Sequence, residues 1–254
     1  MTLMSRLMVL FPLSVVLLFL ASVYALVKYP SLATLVLPLF VLYLYPVLCF
    51  RIHNLIWPLH EGSYDVAAKK YLPWWGSHQM QLIYFACPFL EAVLRTIPGV
   101  YSAWLRLWGA EIGKNIYWTP NIEVDDRPML VMGDHVIVGH KLHFLNHVIA
   151  PRNGVMSLLL KKITIGEGSF LGAGSRLGPG VTIEAGTKLP ILTDCQINQY
   201  VRKADYIRKR QEVQDDFADA GQADKSRLAF EAMANELGQQ PTQPMALDPE
   251  SLDG

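Results

Sequence analysis

The chain reads as mainly β, a triangular parallel β-helix preceded by apolar helices, and three observations carry that reading. The first is a period of six in ITIGEGSFLGAGSRLGPGVTIEAGTKLP, Ile163 to Pro190, where Ile165, Leu171, Leu177, Ile183 and Leu189 recur every six residues. The second is what surrounds them. Gly166, Gly172, Gly178 and Glu184 follow four of the five, and Ser169, Ser175, Val181, Thr187 and Thr193 fill the fifth place of each unit. The third is a pair of uncharged apolar runs, Leu7 to Val27 and Leu32 to Phe50, ahead of everything else.

A period of six fits neither the 3.6 of a helix nor the 2 of an ordinary strand. It fits short strand-and-turn units whose apolar residue points inward, three units closing one coil. Glycine follows the inward residue because tight corners need a positive φ or leave no room for a larger side chain. A stack of antiparallel hairpins is the plainer alternative, and about eleven units in one phase weigh against it.

In chain order, residues 1–51 form an expected transmembrane helical hairpin. At about 1.5 Å per residue each run can cross a hydrocarbon core of about 30 Å. The turn Lys28 to Ser31 is too short for anything but a hairpin, and Pro12, Pro38 and Pro46 are tolerable in such helices. Arg6, Arg51 and His53 outside the runs against Lys28 in the turn put both ends in the cytoplasm. The rival is a cleaved signal peptide, with Arg6, the stretch Leu7 to Leu20 and Val23-Tyr24-Ala25 as its three parts.

Residues 52–110 are rich in Trp, Tyr, Pro and His. Trp57, Trp74, Trp75, Trp104 and Trp108 favour the headgroup layer, and Gln79, Gln81, Glu91 and Arg95 bracket the short apolar stretch Gln79 to Leu90. The expectation is a set of interfacial helices. A helical cap over the first coil stands beside it.

Residues 111–200 carry the β-helix. Ile112, Trp118 and Val124 make one coil and Met132, Val138 and Phe144 the next, with two residues inserted near Arg127 to Leu130. From Phe144 to Ile165 the step is 21, so an excursion loop covers roughly Ala150 to Lys162. Its residues Val155 to Leu160 call for a neighbour to cover them. After Pro190 the pattern weakens, and Cys195 is the last inward residue assigned. Residues 201–238 read as a C-terminal helix stopped by Gly238, and 239–254 as a disordered tail.

The composition narrows the function classes. With 254 residues, 52% apolar and zero formal charge, the chain has enough length for a sizeable core, and its neutral balance gives no reason to expect nucleic acid as a partner. Cys49, Cys87 and Cys195 are scattered, which fits a reducing compartment or membrane burial better than a disulfide framework.

The chemistry concentrates in GHKLHFLNHVIAP. His135, His140, His143 and His147 fall within thirteen residues. By coil phase His147 stands at a corner, with Arg127 one coil below it and Asp126 below Asn146, at the strand spacing of about 4.8 Å. A carboxylate from Asp125 or Asp126 is then in reach of His147, or of another copy's. Imidazole suits a general base because its pKa of about 6.5 lies near working pH. The plain alternative makes Asp125, Asp126 and Arg127 a solvated corner, and His140 and His143 polar corner residues or substrate contacts.

Gly113 to Pro190 resembles the hexapeptide-repeat acyltransferases of the left-handed β-helix class, particularly the maltose, galactoside and xenobiotic acetyltransferases. The resemblance implies a left-handed winding, an exception to the right-handed crossover rule, and a homotrimer with sites at subunit boundaries. Asn146-His147 followed by KKITIGEGSF occupies the place of the family's catalytic base; Asp126 is set beside it by coil register and not by the resemblance. Gly172, Ala173, Gly174 and Ser175, then Gly178 and Pro179, match the wall along which coenzyme A runs. Asp125, Arg127, His140 and His143 fall to the acceptor.

The resemblance implies an acyltransferase using acetyl-CoA or another acyl thioester, with no tightly bound cofactor and no metal, and the two apolar runs, which are no part of the family's soluble enzymes, add a membrane anchor. The anchor implies an acceptor at the bilayer, whether a lipid, a lipid-linked sugar or a nascent surface polymer, on the cytoplasmic side of a bacterial-type inner membrane. The family's closing Gly-Asn-Pro-Ala-Arg signature is absent, which leaves an acyl carrier protein as the alternative donor. Two other classes share the fold. The γ-type carbonic anhydrases need three histidines on zinc; His135 and His140 have the spacing of two ligands, but no histidine lies between His78 and His135 to supply the third. A non-catalytic membrane scaffold is the other.

Overall fold

In the computed structural model, which describes residues 2–152 and 154–204, one turn of chain stands on the next. Ile165 pairs in parallel with Ile183, Leu171 with Leu189, and Leu177 with Cys195. The six-residue unit thus produces three parallel sheets. One contains Glu111–Ile112, Leu130–Met132, Ile163–Ile165, Thr182–Ile183 and Tyr200–Val201. The second contains Tyr117–Trp118, Ile137–Val138, Phe170–Leu171 and Lys188–Leu189, and the third Glu123–Val124, His143–Phe144, Arg176–Leu177 and Asp194–Cys195. The second residue of each two-residue strand points inward and is buried. The core is therefore three columns, and the column Ile112, Met132, Ile165, Ile183 continues to Val201, one unit beyond Cys195.

Glycine serves two separate purposes here. A Cβ on Gly172 would lie 2.2 Å from the Pro190 carbonyl oxygen of the next coil, so the position after an inward residue is closed by contact. Two residues later the backbone turns left-handed, at Gly168, Gly174, Gly180 and Gly186, and then at Leu192 and Asn198. That second register also has a period of six. The buried Ser169 and Ser175 come one place after the left-handed glycine: each hydroxyl donates to a carbonyl of the coil above, Glu184 and Pro190 respectively.

Both interruptions of the period are local. The two extra residues after Val124 are taken up by a 3-10 turn, Arg127–Met129. The long excursion is an ordered antiparallel pair, His147–Arg152 with Val155–Leu160, and Gly62–Asp65 adds a third strand to its outer edge. It begins at His147 itself rather than at Ala150. Leu158 and Leu160 are fully buried, packed with Trp74 and Met129 of the same chain. The need for a second subunit to cover Val155 to Leu160 is thereby removed at its inner end, while Val155 and Met156 stay exposed.

Among the described residues, seven helices precede the β-helix: α1 (Leu3–Val9), α2 (Phe11–Lys28), α3 (Leu32–Tyr43), α4 (Tyr45–Ile56), α5 (Pro73–Ala86), α6 (Phe89–Arg95) and α7 (Val100–Trp108). Leu3–Lys28 forms one helical stretch of 26 residues, apolar and long enough to cross a membrane. A three-residue turn follows, and α3 returns along α2, started by a capping box between Ser31 and Thr34. The expected second span is not straight. α3 and α4 meet at Leu44 with a bend of 49°, next to Pro46 in the first turn of α4. Beyond the bend α4 packs on the protein, burying Val47, Phe50 and His53.

The segment 52–110 folds inward. α7 closes the open end of the first coil, with Trp108 and Leu105 fully buried and Tyr101 edge-on to Trp118 at 5.0 Å. The Trp118 indole donates to Ser102 at 2.8 Å. Trp74, Trp104 and Trp108 are buried, so the headgroup role expected of them is corrected: Trp104 and Trp108 pack in the helical cap, and Trp74 packs against Leu158, Leu160 and Met129. Gln79, Gln81 and Glu91 are buried as well and do not mark a wet face. The expected C-terminal helix and tail lie, from residue 205 on, outside the described residues.

Candidate active site

The stacking that pairs Val124 with Phe144 also sets the corner after Phe144 directly on the corner after Val124. His147 Nδ1 lies 2.6 Å from Asp126 Oδ2, within one chain. Asp126 is fully buried, and its other oxygen accepts the Trp74 indole N–H at 3.0 Å. The carboxylate is thus fixed from two sides and turned toward one ring nitrogen. Nδ1 occupied in this way leaves Nε2 as the nitrogen that exchanges a proton.

The site is roofed by α5. Trp74, His78, Gln81 and Phe85 are spaced as one helix face, and that face looks onto the corner. The Trp74 ring is 4.8 Å from the His147 ring and His78 is 5.9 Å from it, nearly perpendicular. Gln81 Oε1 accepts from the Arg127 backbone N–H at 2.9 Å and from its Nη1 at 3.0 Å. Phe85 and Tyr84 lie under the Arg127 guanidinium.

Arg127 is 1% exposed and ion-paired with Glu91 at 2.6 Å, while Glu91 also holds Arg95 at 2.7 Å. Burial works against its charge, yet Glu91 holds its pKa above the ordinary arginine value. The substrate contact expected of Arg127 is corrected, because its charge is consumed in the cap. Asn146 is likewise fully buried; it donates to the Met129 carbonyl at 2.9 Å and accepts from the Asp126 N–H. It positions the turn that carries Asp126 and does not reach an acceptor.

For His147 burial is the largest influence and pushes the pKa down. The hydrogen bond and charge of Asp126, with Asp125 behind, outweigh it, so the ring holds a proton more firmly than an ordinary histidine.

Beside this pair stands a second one. His143 Nε2 lies 2.8 Å from Asp125 Oδ1, on the outer surface of the same sheet, with Glu123 3.7 Å from Nδ1. The structure therefore gathers Asp125, Asp126, His143, Asn146 and His147 at one edge. Gly178 and Pro179 form the corner one coil above, since Leu145 donates to the Leu177 carbonyl. His140 is elsewhere: its carbonyl accepts from Gly174 at the neighbouring corner. Of the wall Gly172 to Ser175, only Ala173 and Gly174 keep some exposure, and Ser175 is fully buried with its hydroxyl engaged by Pro190 and Thr193. His135 occupies a left-handed corner at φ 58°. Among the described residues no group of three His, Cys, Asp or Glu side chains is placed to hold a metal.

Trp74 and His78 are the two site residues that sequence reasoning missed. Their partners lie 52 and 69 positions away, but the i, i+4 placement of Trp and His on one helix was a readable sign of a shared face.

No protein-family model matches the chain, and no curated protein does. Among solved structures it is similar to a hexapeptide-repeat containing acetyltransferase from Vibrio cholerae, at 16% identity and a TM-score of 0.32 over 48% of this chain and 86% of that one. It is also similar to serine acetyltransferase 1 of Entamoeba histolytica in complex with L-cysteine, at 17% identity and a TM-score of 0.18 over 74% and 73%. No chemistry follows from likenesses of this size.

Proposed function

We propose that the chain is a membrane-anchored acyltransferase with a left-handed β-helix, which moves an acyl group, acetyl in the first instance, from a coenzyme A thioester to a hydroxyl or amine of an acceptor held at the bilayer. The observation that carries this reading is the pair His147–Asp126, a base oriented by a fully buried carboxylate with one ring nitrogen left free. A scaffold has no use for a carboxylate held away from water, which costs stability unless its partners are in place.

In the proposed step Nε2 of His147 takes the acceptor's proton as the acceptor attacks the thioester carbon, then returns it to the departing thiolate. Asp126 steadies the imidazolium between the two. A thioester is already activated, so no protein nucleophile is needed, and a positioned base contributes about 10²–10⁴-fold. The apolar helix Leu3–Lys28 supports the anchor, and Arg6 near its start, with Arg51 after the second apolar run, supports cytoplasmic ends.

The test uses full-length protein in vesicles of its source membrane with radiolabelled acetyl-CoA. Label entering the lipid extract, and lost with His147→Ala, is the expected result. Labelling only from acyl carrier protein would move the donor, and undiminished labelling with His147→Ala would remove the base.

A further inference from the structure

His78 has no part in the step just described, yet it carries a titratable ring beside the base. It lies on α5 stacked on Trp74 at 5.1 Å and 28°, with the Phe85 ring also near it at 5.4 Å, and it meets the His147 ring at 5.9 Å and 83°. Of its two ring nitrogens, Nδ1 is sealed from solvent and has no hydrogen-bond partner. A protonated ring bears an N–H on both nitrogens, so charging His78 would strand a donor and a charge together. The neutral ring has one N–H and one lone pair. Orphaned buried N–H groups are the rarer kind, which places the proton on Nε2.

Four charged or titratable groups face this ring: Asp126, His147, Asp125 and Arg127. Burial is the largest influence and lowers the pKa, His147 and Arg127 act with it, and Asp126 and Asp125 oppose it without prevailing. The two histidines are thus driven apart, His147 toward holding a proton and His78 toward releasing one.

Resting on the reading of His147 as base, we infer that His78 is a second catalytic residue, a neutral imidazole whose Nε2–H donates to the acyl carbonyl oxygen while that oxygen carries negative charge. The acceptor atom forms its bond to the acyl carbon as His147 takes its proton, and the carbonyl π pair moves onto the oxygen held by His78. Collapse re-forms the carbonyl and breaks the carbon–sulfur bond, and the thiolate takes the proton from His147. His78 ends as it began. A neutral donor suits this place, because a cationic ring would oppose the uptake of a proton by His147.

Three variants, His78→Phe, His78→Gln and His147→Ala, are compared in full-length protein in source-membrane vesicles with acetyl-CoA, reading thiol release and label transferred. His78→Phe keeps the stack on Trp74 and loses the N–H. It is expected to lower kcat about 10²–10³-fold with little change in KM for acetyl-CoA. Gln, whose amide N–H reaches about as far as Nε2, is expected to recover about tenfold or more of that loss, with the limb of the pH profile that belongs to His147 unmoved. Near-full kcat in His78→Phe beside a dead His147→Ala, or equal losses with Phe and Gln, would overturn the role of His78 and leave the base standing. Full transfer by His147→Ala would instead bring down the reading beneath it. Nitrogen-15 NMR of labelled histidines in micelles reads the same claim without turnover. At about pH 7 His78 should be neutral with its proton on Nε2, and as the pH falls it should take up its second proton after His147 does; a proton on Nδ1, or the reverse order of protonation, would overturn it.

Discussion

Asp126 and His147 are hydrogen-bonded at 2.6 Å although 21 positions separate them, because each follows the inward residue of the same corner on successive coils. Asp126→Asn keeps the shape but lets an amide N–H face Nδ1, which fixes the wrong tautomer. Transfer is expected to fall about 10²–10⁴-fold with the fold intact, measured as label moved from acetyl-CoA per unit of folded protein. A loss below tenfold would mean that the carboxylate only fills space.

The raised pKa of His147 sets the direction of two pH effects. Activity needs the neutral ring, so kcat/KM is expected to climb through a pKa above about 6.5. For stability the sign is the opposite. A group whose folded pKa is raised favours the fold fully below its unfolded value, and that contribution is lost as pH rises through the folded one. The gap in unfolding free energy between the protein and His147→Gln should therefore be widest in acid and shrink above about pH 6.5. A gap that widens with pH would contradict the ion pair.

Glu91 balances two buried guanidinium groups, Arg95 and Arg127. Glu91→Ala leaves both charges without their carboxylate, and a loss of about 3–5 kcal/mol of stability is expected in denaturant melts. Arg127→Met together with Glu91→Met should recover part of it. If Glu91→Ala instead left stability unchanged and raised KM for the acceptor, Arg127 would be a substrate contact after all.

The two kinds of glycine separate by mutation. Gly168→Ala meets open space and costs only its left-handed φ of 65°, roughly 1–2 kcal/mol. Gly172→Ala drives a methyl into the Pro190 carbonyl and is expected to cost more, with coil spacing disturbed above it. Leu192, bulky and left-handed at φ 55°, should gain stability as Leu192→Gly. Thermal melts of the three order these effects, and a milder Gly172→Ala would refute the contact reading.

A homotrimer remains our proposal for assembly, and its support now lies on the β-helix wall. Tyr117, Ile137 and Phe170 form an exposed apolar column on the outside of one sheet, whereas Glu123, His143, Arg176 and Asp194 line another. Mass measurement in detergent should give three chains, and Phe170→Glu should shift the population toward monomer. A monomeric parent protein would end the proposal.

Much of this was legible because a repeat states its own register. The inward columns from Ile112 to Cys195 and the approach of Asp126 to the His147 corner follow from counting sixes. Val201 escaped, since the unit before it, QINQY, offers polar residues where the earlier units show small ones. The helices of 52–110 were not legible in the same way. A Trp-rich amphipathic segment satisfies a bilayer surface and a β-helix end equally well, and only packing decides. Arg127 was misjudged for a related reason: its partner Glu91 comes from 36 positions away, in a helix whose docking no local pattern announces.

Trp74 and Trp75 are adjacent on α5, one indole donating to Asp126 and the next to the Ser5 carbonyl of α1 at 3.1 Å. α5 also packs along α2 and α4. The apolar N-terminal region is therefore not a detachable leash on an otherwise self-sufficient domain. On the proposed reading, removing it strips the support from the roof of the site, so a trimmed version is expected to keep its coils and lose transfer. The same tryptophan pair thus ties the N-terminal helix to the candidate site through one helix.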